Sequence, residues 1–172
     1  MKEALENHNF AEYFTHYIGL VEDIEIEEAL EKNQSELKEL FDFLVEDQGN
    51  YQYAEGKWSI KDLLVHIIDT ERIFCYRALS FARNEKVDLP GFDHDEYVKS
   101  AAANNRTICD ISKDFEATRK ATLQLFKSFT PDMLNKEGTA NGNSLTVSAI
   151  GYIIVGHAIH HLKVLEEKYL NE

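Results

Sequence analysis

The stretch VSAIGYIIVGHAIHHLKVLEEKYL, residues 147–170, decides the fold class of this chain. Its apolar residues recur every three or four positions, a spacing that places them on one face of an α-helix. Thr146 directly precedes the stretch and is a suitable N-cap residue. Two histidines, His157 and His161, lie one helical turn apart within the apolar face. The stretch therefore predicts a long core helix that carries two histidines.

The same spacing predicts further helices over about residues 10–21, 26–45, 59–82 and 108–129, with a short helical piece near 95–103. Ser59 and Asp62 are a typical N-cap and first-turn acid. The segment NKEGTANGNSLT, residues 135–146, is predicted to be a loop, and no convincing strand appears. These helices predict an all-α protein, an up-and-down bundle of four or five helices in a single domain over residues 1–172.

Composition and charge exclude several classes of function. The formal net charge is -13, with 18 basic and 31 acidic residues and no basic run, so we expect no nucleic-acid partner. No secretory signal and no apolar run of about 18 residues appear, which predicts a cytoplasmic protein without a membrane span. The two cysteines, Cys75 and Cys109, match no disulfide or metal spacing and are expected to be buried reduced thiols.

A third histidine, His66, lies on the apolar stripe of the helix predicted over residues 59–82. A buried imidazole is costly unless its ring nitrogens find partners. Two histidines one turn apart, joined by a third from another helix, can form a divalent metal site with room for water or substrate. Both His157 with His161 and His157 with His160 are sterically possible pairs, and ordinary core histidines remain the alternative.

Charged residues near His66 are candidates for roles in catalysis or binding. Asp69, three residues on, lies on nearly the same helix face and is the predicted catalytic residue, as a base or as a partner of a ligand imidazole. Glu71 is predicted to lie at the surface or between helices. Arg72 and Arg77 could meet an anionic substrate, although ordinary salt bridges are the default for arginines.

Three segments resemble the DinB-like (damage-inducible) family, which includes bacillithiol-transferase-type proteins: WSIKDLLVHIIDTE at 58–71, LPGFDHDEYV at 89–98 and GHAIHHLKVLEEKY at 156–169. The resemblance covers most of the chain. It implies an antiparallel four-helix bundle with short extra helices. It also implies a metal triad of one histidine from the second bundle helix and two, four apart, from the last. Carried over, these are His66, His157 and His161, and His160 is not a ligand.

The resemblance implies a metal-dependent hydrolase or thiol S-transferase that acts on a small molecule. The expected cofactors are a divalent metal, zinc or nickel, and a low-molecular-weight thiol. Two alternatives stay open: a non-catalytic metal-binding or ligand-sensing bundle, and a partner-binding module without metal. The lack of an obvious fourth ligand favours the enzyme. A homodimer is compatible with the resemblance and with the aromatic first helix, although packing within one chain explains that helix equally well.

Asp93, His94 and Tyr97 lie in the segment 89–98, which resembles that of the family. They are expected to make ordinary packing contacts within this loop, and a position at the mouth of the site is the alternative. Trp58 and Tyr53 are expected to anchor their loop against the bundle.

Overall fold

Seven α-helices and one small β-hairpin make up the described part of the chain, Leu5 and residues 10–170, in the computed structural model. The helices are α1 (Glu12–Leu20), α2 (Ile26–Phe43), α3 (Ile60–Ala82), α4 (His94–Ala101), α5 (Ile108–Lys127), α6 (Pro131–Leu134) and α7 (Val147–Leu165). A π-helical turn, Glu166–Leu170, extends α7, and two 3-10 turns cover Glu46–Gln48 and Ala103–Asn105. The strands are β1 (Glu137–Ala140) and β2 (Asn143–Thr146). The prediction of an essentially all-α bundle is confirmed.

The four long helices α2, α3, α5 and α7 form the bundle. Helix α7 packs against α3 and α2, and α5 packs against the same two helices from the opposite side. The order around the bundle is therefore α2, α5, α3, α7, which differs from the chain order. The linkers over residues 44–59 and 128–146 are long enough to cross a diagonal, so consecutive helices need not be neighbours. Helix α1 packs along α7 and covers its remaining side.

Helix α7 is almost entirely buried in its first three turns because α1, α2 and α3 surround it. Together with its π-helical turn it is the one segment of the described chain that is long and apolar enough to cross a membrane, with a mean hydropathy of 1.2. The segment meets this criterion by its average composition and still contains no uninterrupted apolar run of about 18 residues, since His157, His160 and His161 lie within it. Most of this segment is buried inside the bundle, as expected for the core helix of a globular protein.

Side-chain caps fix where the two histidine-bearing helices begin. The Ser59 hydroxyl accepts a hydrogen bond from the Asp62 N–H at 3.1 Å, and the Asp62 carboxylate accepts one from the Ser59 N–H at 3.0 Å. The Thr146 hydroxyl accepts from the Ala149 N–H at 3.1 Å. Both caps were predicted from the sequence, and they stabilise the first turns of α3 and α7.

The segment predicted to be a loop before α7 contains the hairpin of β1 and β2. Glu137 pairs with Thr146, and the strands are joined at Asn141 and Gly142. Both turn residues have positive φ, 51° and 70°. Asn-Gly is the preferred pair for such a two-residue turn, because both residues tolerate the left-handed region. The prediction that the chain has no strand was therefore wrong, and the Asn-Gly pair was the signal for it.

The cysteines differ in their surroundings. Cys75 is partly buried, and its Sγ lies 3.2 Å from the Thr122 hydroxyl. Burial raises the pKa of the Cys75 thiol to about 11, which keeps it protonated at neutral pH. Cys109 is exposed, so the expectation that it is buried was wrong.

A buried ion pair joins three of the bundle helices. The Arg119 guanidinium on α5 donates to both carboxylate oxygens of Glu71 on α3, each at 2.9 Å, and neither side chain is more than 2% exposed. Arg119 also donates to the Leu30 carbonyl and to the Asn33 side chain on α2, and the Thr122 hydroxyl donates to Glu71. Glu71 thus lies between helices, which is one of its two predicted positions. Four of the five N–H groups of Arg119 have an acceptor.

Gly156 allows α1 and α7 to come into contact. A Cβ atom at this position would lie 1.9 Å from the Tyr17 carbonyl oxygen, which belongs to the rigid backbone of α1. We expect Gly156→Ala to lower the free energy of unfolding by about 2–3 kcal/mol, because the two helices must separate. Urea denaturation followed by circular dichroism measures this.

Gly19→Ala is the matched control for that change. Gly19 lies on α1 near Tyr17, but a Cβ atom there would meet nothing within 4 Å. Because alanine favours helix, this variant should gain up to about 1 kcal/mol. Equal stability of Gly156→Ala and the wild type would contradict the close contact of the two helices.

Candidate metal centre

Three histidines from two helices bring their ring nitrogens together in the bundle. His66 lies on α3, and His157 and His161 lie on successive turns of α7. The Nε2 atom of His157 lies 3.1 Å from Nε2 of His66 and 3.1 Å from Nε2 of His161. One nitrogen of each ring falls within 4.8 Å of the other two, and no other Cys, His, Asp or Glu of the described residues joins this group. His160 therefore lies outside the cluster, although its ring contacts that of His161.

Burial keeps the three rings neutral. It lowers the pKa of His66 to about 4 and that of His161 to about 3, with neighbouring imidazoles adding to both shifts. The pKa of His157 is lowered well below its ordinary value for the same reasons. A neutral imidazole has a free lone pair on one nitrogen, which is the form that binds a metal ion.

The hydrogen-bonding capacity of the three rings fits a shared cation. The Nε2 atom of His157 has one lone pair or one proton, so it cannot bond fully to both neighbouring Nε2 atoms at once. Nδ1 of His161 is buried without a hydrogen-bond partner in the described structure, and an ion bound through Nε2 would not supply one. A divalent ion between the rings would use all three Nε2 lone pairs, and imidazole is a common ligand for zinc and nickel. The residues present therefore fit a divalent metal ion.

Aromatic side chains hold the imidazoles in place. The Trp58 ring lies 4.7 Å from that of His66, between centroids, and the Tyr17 ring lies 5.5 Å from that of His157 in an edge-on contact. Trp58 is fixed by its indole N–H, which donates to Asp95 at 3.1 Å, and by its carbonyl, which accepts from Tyr169. Trp58 thus anchors its loop, as predicted, and also limits the rotation of a candidate ligand.

The three histidines line a cavity of about 400 Å³. This volume is in the range of small-molecule sites. Its wall is rich in aromatic side chains: Tyr13, Phe14, Tyr17, Trp58, Phe74 and Phe92. The other polar and charged wall residues include Thr70 and Arg77 from α3 and His94 and Asp95 from α4. A larger groove of about 620 Å³ between α2 and α7 contains none of the three histidines.

Asp69 is not one of the described residues that line this cavity. Its carboxylate pairs with Arg72, 3.3 Å away, and Arg72 also pairs with Asp114 on α5. Burial raises the pKa of Asp69, and the positive charge of Arg72 partly opposes that shift. The catalytic role of Asp69 stays a prediction, and these contacts place the side chain towards α5 rather than towards the histidines.

The loop before α4 contributes to the cavity wall. His94 lies 5.3 Å from His66 between ring centroids and lines the cavity, whereas Asp93 caps α4 and Tyr97 is largely exposed. His94 thus lies at the site, which was the alternative to the expected packing contacts. Asp93 contacts only the local structure, as expected. Phe92 packs on His94 at 4.4 Å between centroids.

Sequence reasoning missed Thr70 as a cavity residue. Thr70 follows His66 by four positions, so a helix of 3.6 residues per turn places both on one face. That spacing was a usable signal. Phe92 had no such signal, because only the tertiary fold brings its loop to the histidines.

The chain is similar to known proteins in both sequence and fold. A sequence model of the DinB superfamily matches residues 29–165. No curated protein matches the sequence. Among solved structures, YfiT from Bacillus subtilis is 14% identical with a TM-score of 0.71, covering 94% of this chain and 88% of its own. YfiT is described as a probable metal-dependent hydrolase with an unusual four-helix bundle topology.

Two further structures share the fold. The DinB-like protein YjoA from Bacillus subtilis is 20% identical with a TM-score of 0.59, covering 82% of this chain and 86% of its own. A mycothiol-dependent maleylpyruvate isomerase is 16% identical with a TM-score of 0.66, covering 81% of this chain and 60% of its own. At these identities the structures establish the fold, and the sequence model covers most of the chain. The chain therefore belongs to the DinB superfamily.

Proposed function

We propose that His66, His157 and His161 bind one divalent metal ion, zinc or nickel, and that the protein is an enzyme. The proposed reaction is hydrolysis or thiol transfer on a small molecule bound in the cavity. The observation that carries the proposal is the convergence of three neutral imidazole nitrogens within 4.8 Å at the wall of that cavity, two from buried histidines and one from the partly buried His161.

The number of ligands favours a reactive site over a structural one. Structural zinc sites usually have four protein ligands, whereas catalytic sites keep a position open for water or substrate. No fourth Cys, His, Asp or Glu joins the cluster among the described residues. When bound, a divalent ion at such a site supplies Lewis acidity, which lowers the pKa of a coordinated water or thiol.

The chain's own side chains would position the metal and shape the site. Trp58 and Tyr17 restrict the orientation of the imidazoles of His66 and His157. The aromatic wall limits the access of water and offers surface to the apolar part of a substrate. His94, beside His66 on the cavity wall, would be a hydrogen-bonding group for a bound substrate.

The related structures support both reaction classes. YfiT is described as a probable metal-dependent hydrolase, and the isomerase is described as mycothiol-dependent. A thiol as co-substrate suits the same site, since a divalent ion favours the thiolate over the thiol. The alternative function is a non-catalytic metal-binding or ligand-sensing bundle, which has the same metal site without turnover.

The test compares metal-free protein, zinc-loaded protein and nickel-loaded protein, all purified without a histidine tag. Thiol transfer is measured with cysteine or glutathione and monochlorobimane. There the sulfur displaces chloride, forms a thioether and releases its proton to the buffer. Hydrolysis is measured with a panel of nitrophenyl esters and anilides. We expect one of the two loaded forms to exceed the rate of the metal-free protein by about a hundredfold or more for one reaction class.

Two outcomes would contradict the proposal in different ways. A loaded protein that binds metal but is no faster than the metal-free form in either assay supports the non-catalytic alternative. A protein that takes up no zinc or nickel, and whose melting temperature is unchanged by EDTA, overturns the metal site itself.

A further inference from the structure

Arg77 carries a buried positive charge that forms no salt bridge with a carboxylate among the described residues. Its side chain is 5% exposed, and its guanidinium makes one hydrogen bond, to the Pro90 carbonyl at 3.1 Å. It also lies over the Phe74 ring at 5.0 Å from the centroid. The nearby acid Asp88 acts on the guanidinium through its charge alone, because its carboxylate accepts hydrogen bonds from the Gly142 N–H. A guanidinium has five N–H donors, so most of the binding capacity of Arg77 is unused.

The other arginines of the bundle differ from Arg77 in this respect. Arg119 is fully buried and forms a two-pronged ion pair with Glu71. Arg72 pairs with two aspartates at the surface of α3 and α5. A buried charge without a hydrogen-bonded counter-ion is costly, so the position of Arg77 on the cavity wall favours an anionic partner from outside the chain.

The charge of Arg77 lies on the same wall as the histidines. Along α3, His66, Thr70, Phe74 and Arg77 occur at spacings of four, four and three residues and all line the cavity. The helix rises about 16 Å from the first to the last of them, and helical side chains lean towards the N-terminus. The wall runs from metal-ligand nitrogens, past a hydroxyl and an aromatic ring, to a cation.

Thr70, between the two ends, has an unused polar group. Its side chain is 2% exposed, and its Oγ1 atom has no hydrogen-bond partner in the described structure. A buried hydroxyl without a partner is uncommon, because it loses its bonds to water without replacement. On the wall of this cavity it is a hydrogen-bonding group for a ligand oxygen.

From these contacts we propose that the cavity binds an elongated small-molecule carboxylate, with its acidic end on Arg77 and its other end directed at the three histidines. The aromatic side chains pack against the apolar middle of the molecule, and the Thr70 hydroxyl bonds to a polar atom along it. The identity of this molecule as the substrate rests on the proposed function, whereas its binding through Arg77 does not.

The charges of the wall favour a carboxylate over a phosphate. Arg77 is the one lysine or arginine among the described wall residues, and Asp95 is the one acid. A single guanidinium matches the single charge of a carboxylate and can bind it through two parallel N–H groups. A phosphate dianion would bring a second negative charge without a second fixed cation.

The test is calorimetric titration of the folded, zinc-loaded chain and the EDTA-treated chain with three probes. These are 4-phenylbutanoate, the uncharged 4-phenylbutanamide and 2-phenylethyl phosphate. We expect the carboxylate to bind most tightly to both protein forms. Arg77→Met should weaken its binding about tenfold to a hundredfold, because it removes a charged hydrogen-bond donor and keeps an apolar stem. Arg77→Lys should restore part of the affinity.

Arg83→Met is the matched control. Arg83 follows the last residue of α3, is exposed and is not part of the cavity wall. This variant should bind the carboxylate as the wild type does. Thr70→Val should weaken binding by about fivefold to tenfold without lowering the melting temperature, since the hydroxyl it removes is unpaired. Circular dichroism and zinc content of each variant establish that it is folded.

Several results would overturn the proposal. They are equal binding of the amide, tighter binding of the phosphate, and unchanged binding in folded Arg77→Met. Binding that survives Arg77→Met but disappears with EDTA would place the carboxylate on the metal instead. No binding of the carboxylate to a chain that holds zinc would overturn this inference and leave the proposed function intact. If a chain that takes up no metal binds the carboxylate through Arg77, this inference stands and the proposed function is overturned.

Discussion

Arg119→Met is expected to lower the free energy of unfolding by about 3–5 kcal/mol, one of the two largest effects we anticipate in this protein. The change removes the guanidinium but leaves the Glu71 carboxylate, which is 2% exposed, without its counter-ion. It also removes the donor to the Leu30 carbonyl and the Asn33 side chain. Guanidinium chloride denaturation at neutral pH, with metal-free protein, measures the loss.

Two further variants distinguish the destabilisation caused by an unpaired buried charge from the stabilisation that the ion pair itself provides. The double variant Arg119→Met, Glu71→Leu removes both charges and should recover much of the stability, since a buried pair is often no better than apolar residues of similar size. Arg106→Met breaks partly exposed pairs with Asp110 and Asp114 and should cost less than about 1 kcal/mol. A loss in Arg119→Met no greater than in Arg106→Met would contradict the buried position of the pair.

His157→Ala is expected to lower the affinity for zinc by more than about a hundredfold and to leave less than about a tenth of an ion per chain after dialysis. His157 is central in the cluster, since its Nε2 atom is 3.1 Å from the Nε2 atoms of both other histidines. His66→Ala tests the same site from α3 and should have a similar effect. Elemental analysis of protein purified without a histidine tag provides the measurement.

His160→Ala is the matched control, because His160 neighbours the ligands in sequence but lies outside the cluster. Its ring contacts those of His16 and Tyr17 as well as that of His161. Zinc content should therefore match the wild type. Loss of zinc in His160→Ala together with retention of zinc in His161→Ala would contradict the assignment of His157 and His161 as the two ligands from α7. Retention of zinc in all of these variants would contradict the proposal of a metal site at these histidines.

Local sequence signals were sufficient for the long helices and for His66 and His157 as candidate ligands, whereas the choice of His161 over His160 came from the family resemblance. The apolar spacing of residues 147–170, with the cap at Thr146, predicted α7, and the cap at Ser59 predicted the start of α3. These two starts set the faces on which the histidines lie. The hairpin before α7 was missed because the Asn141-Gly142 pair was attributed to a loop, although its turn chemistry was visible.

Pairing between distant residues required the tertiary structure. Asp69 and Thr70 are adjacent, and spacing alone favoured Asp69 as the group near the histidines. The fold turns Asp69 towards Arg72 and places Thr70 on the cavity wall, because α5 lies on one side of α3 and α7 on the other. Likewise, Arg72 and Arg77 are similar in sequence context, but only Arg77 lines the cavity.

By itself, the sequence determined the all-α class, the positions of the long helices and the three histidines that could bind a metal. Helical periodicity and capping act between residues a few positions apart, so they are legible along the chain. The tertiary structure alone decided the order of helices around the bundle, the ion pair of Glu71 with Arg119 and the cavity shared by His66, His157 and Arg77. Those features depend on contacts between residues tens of positions apart, which no local pattern specifies.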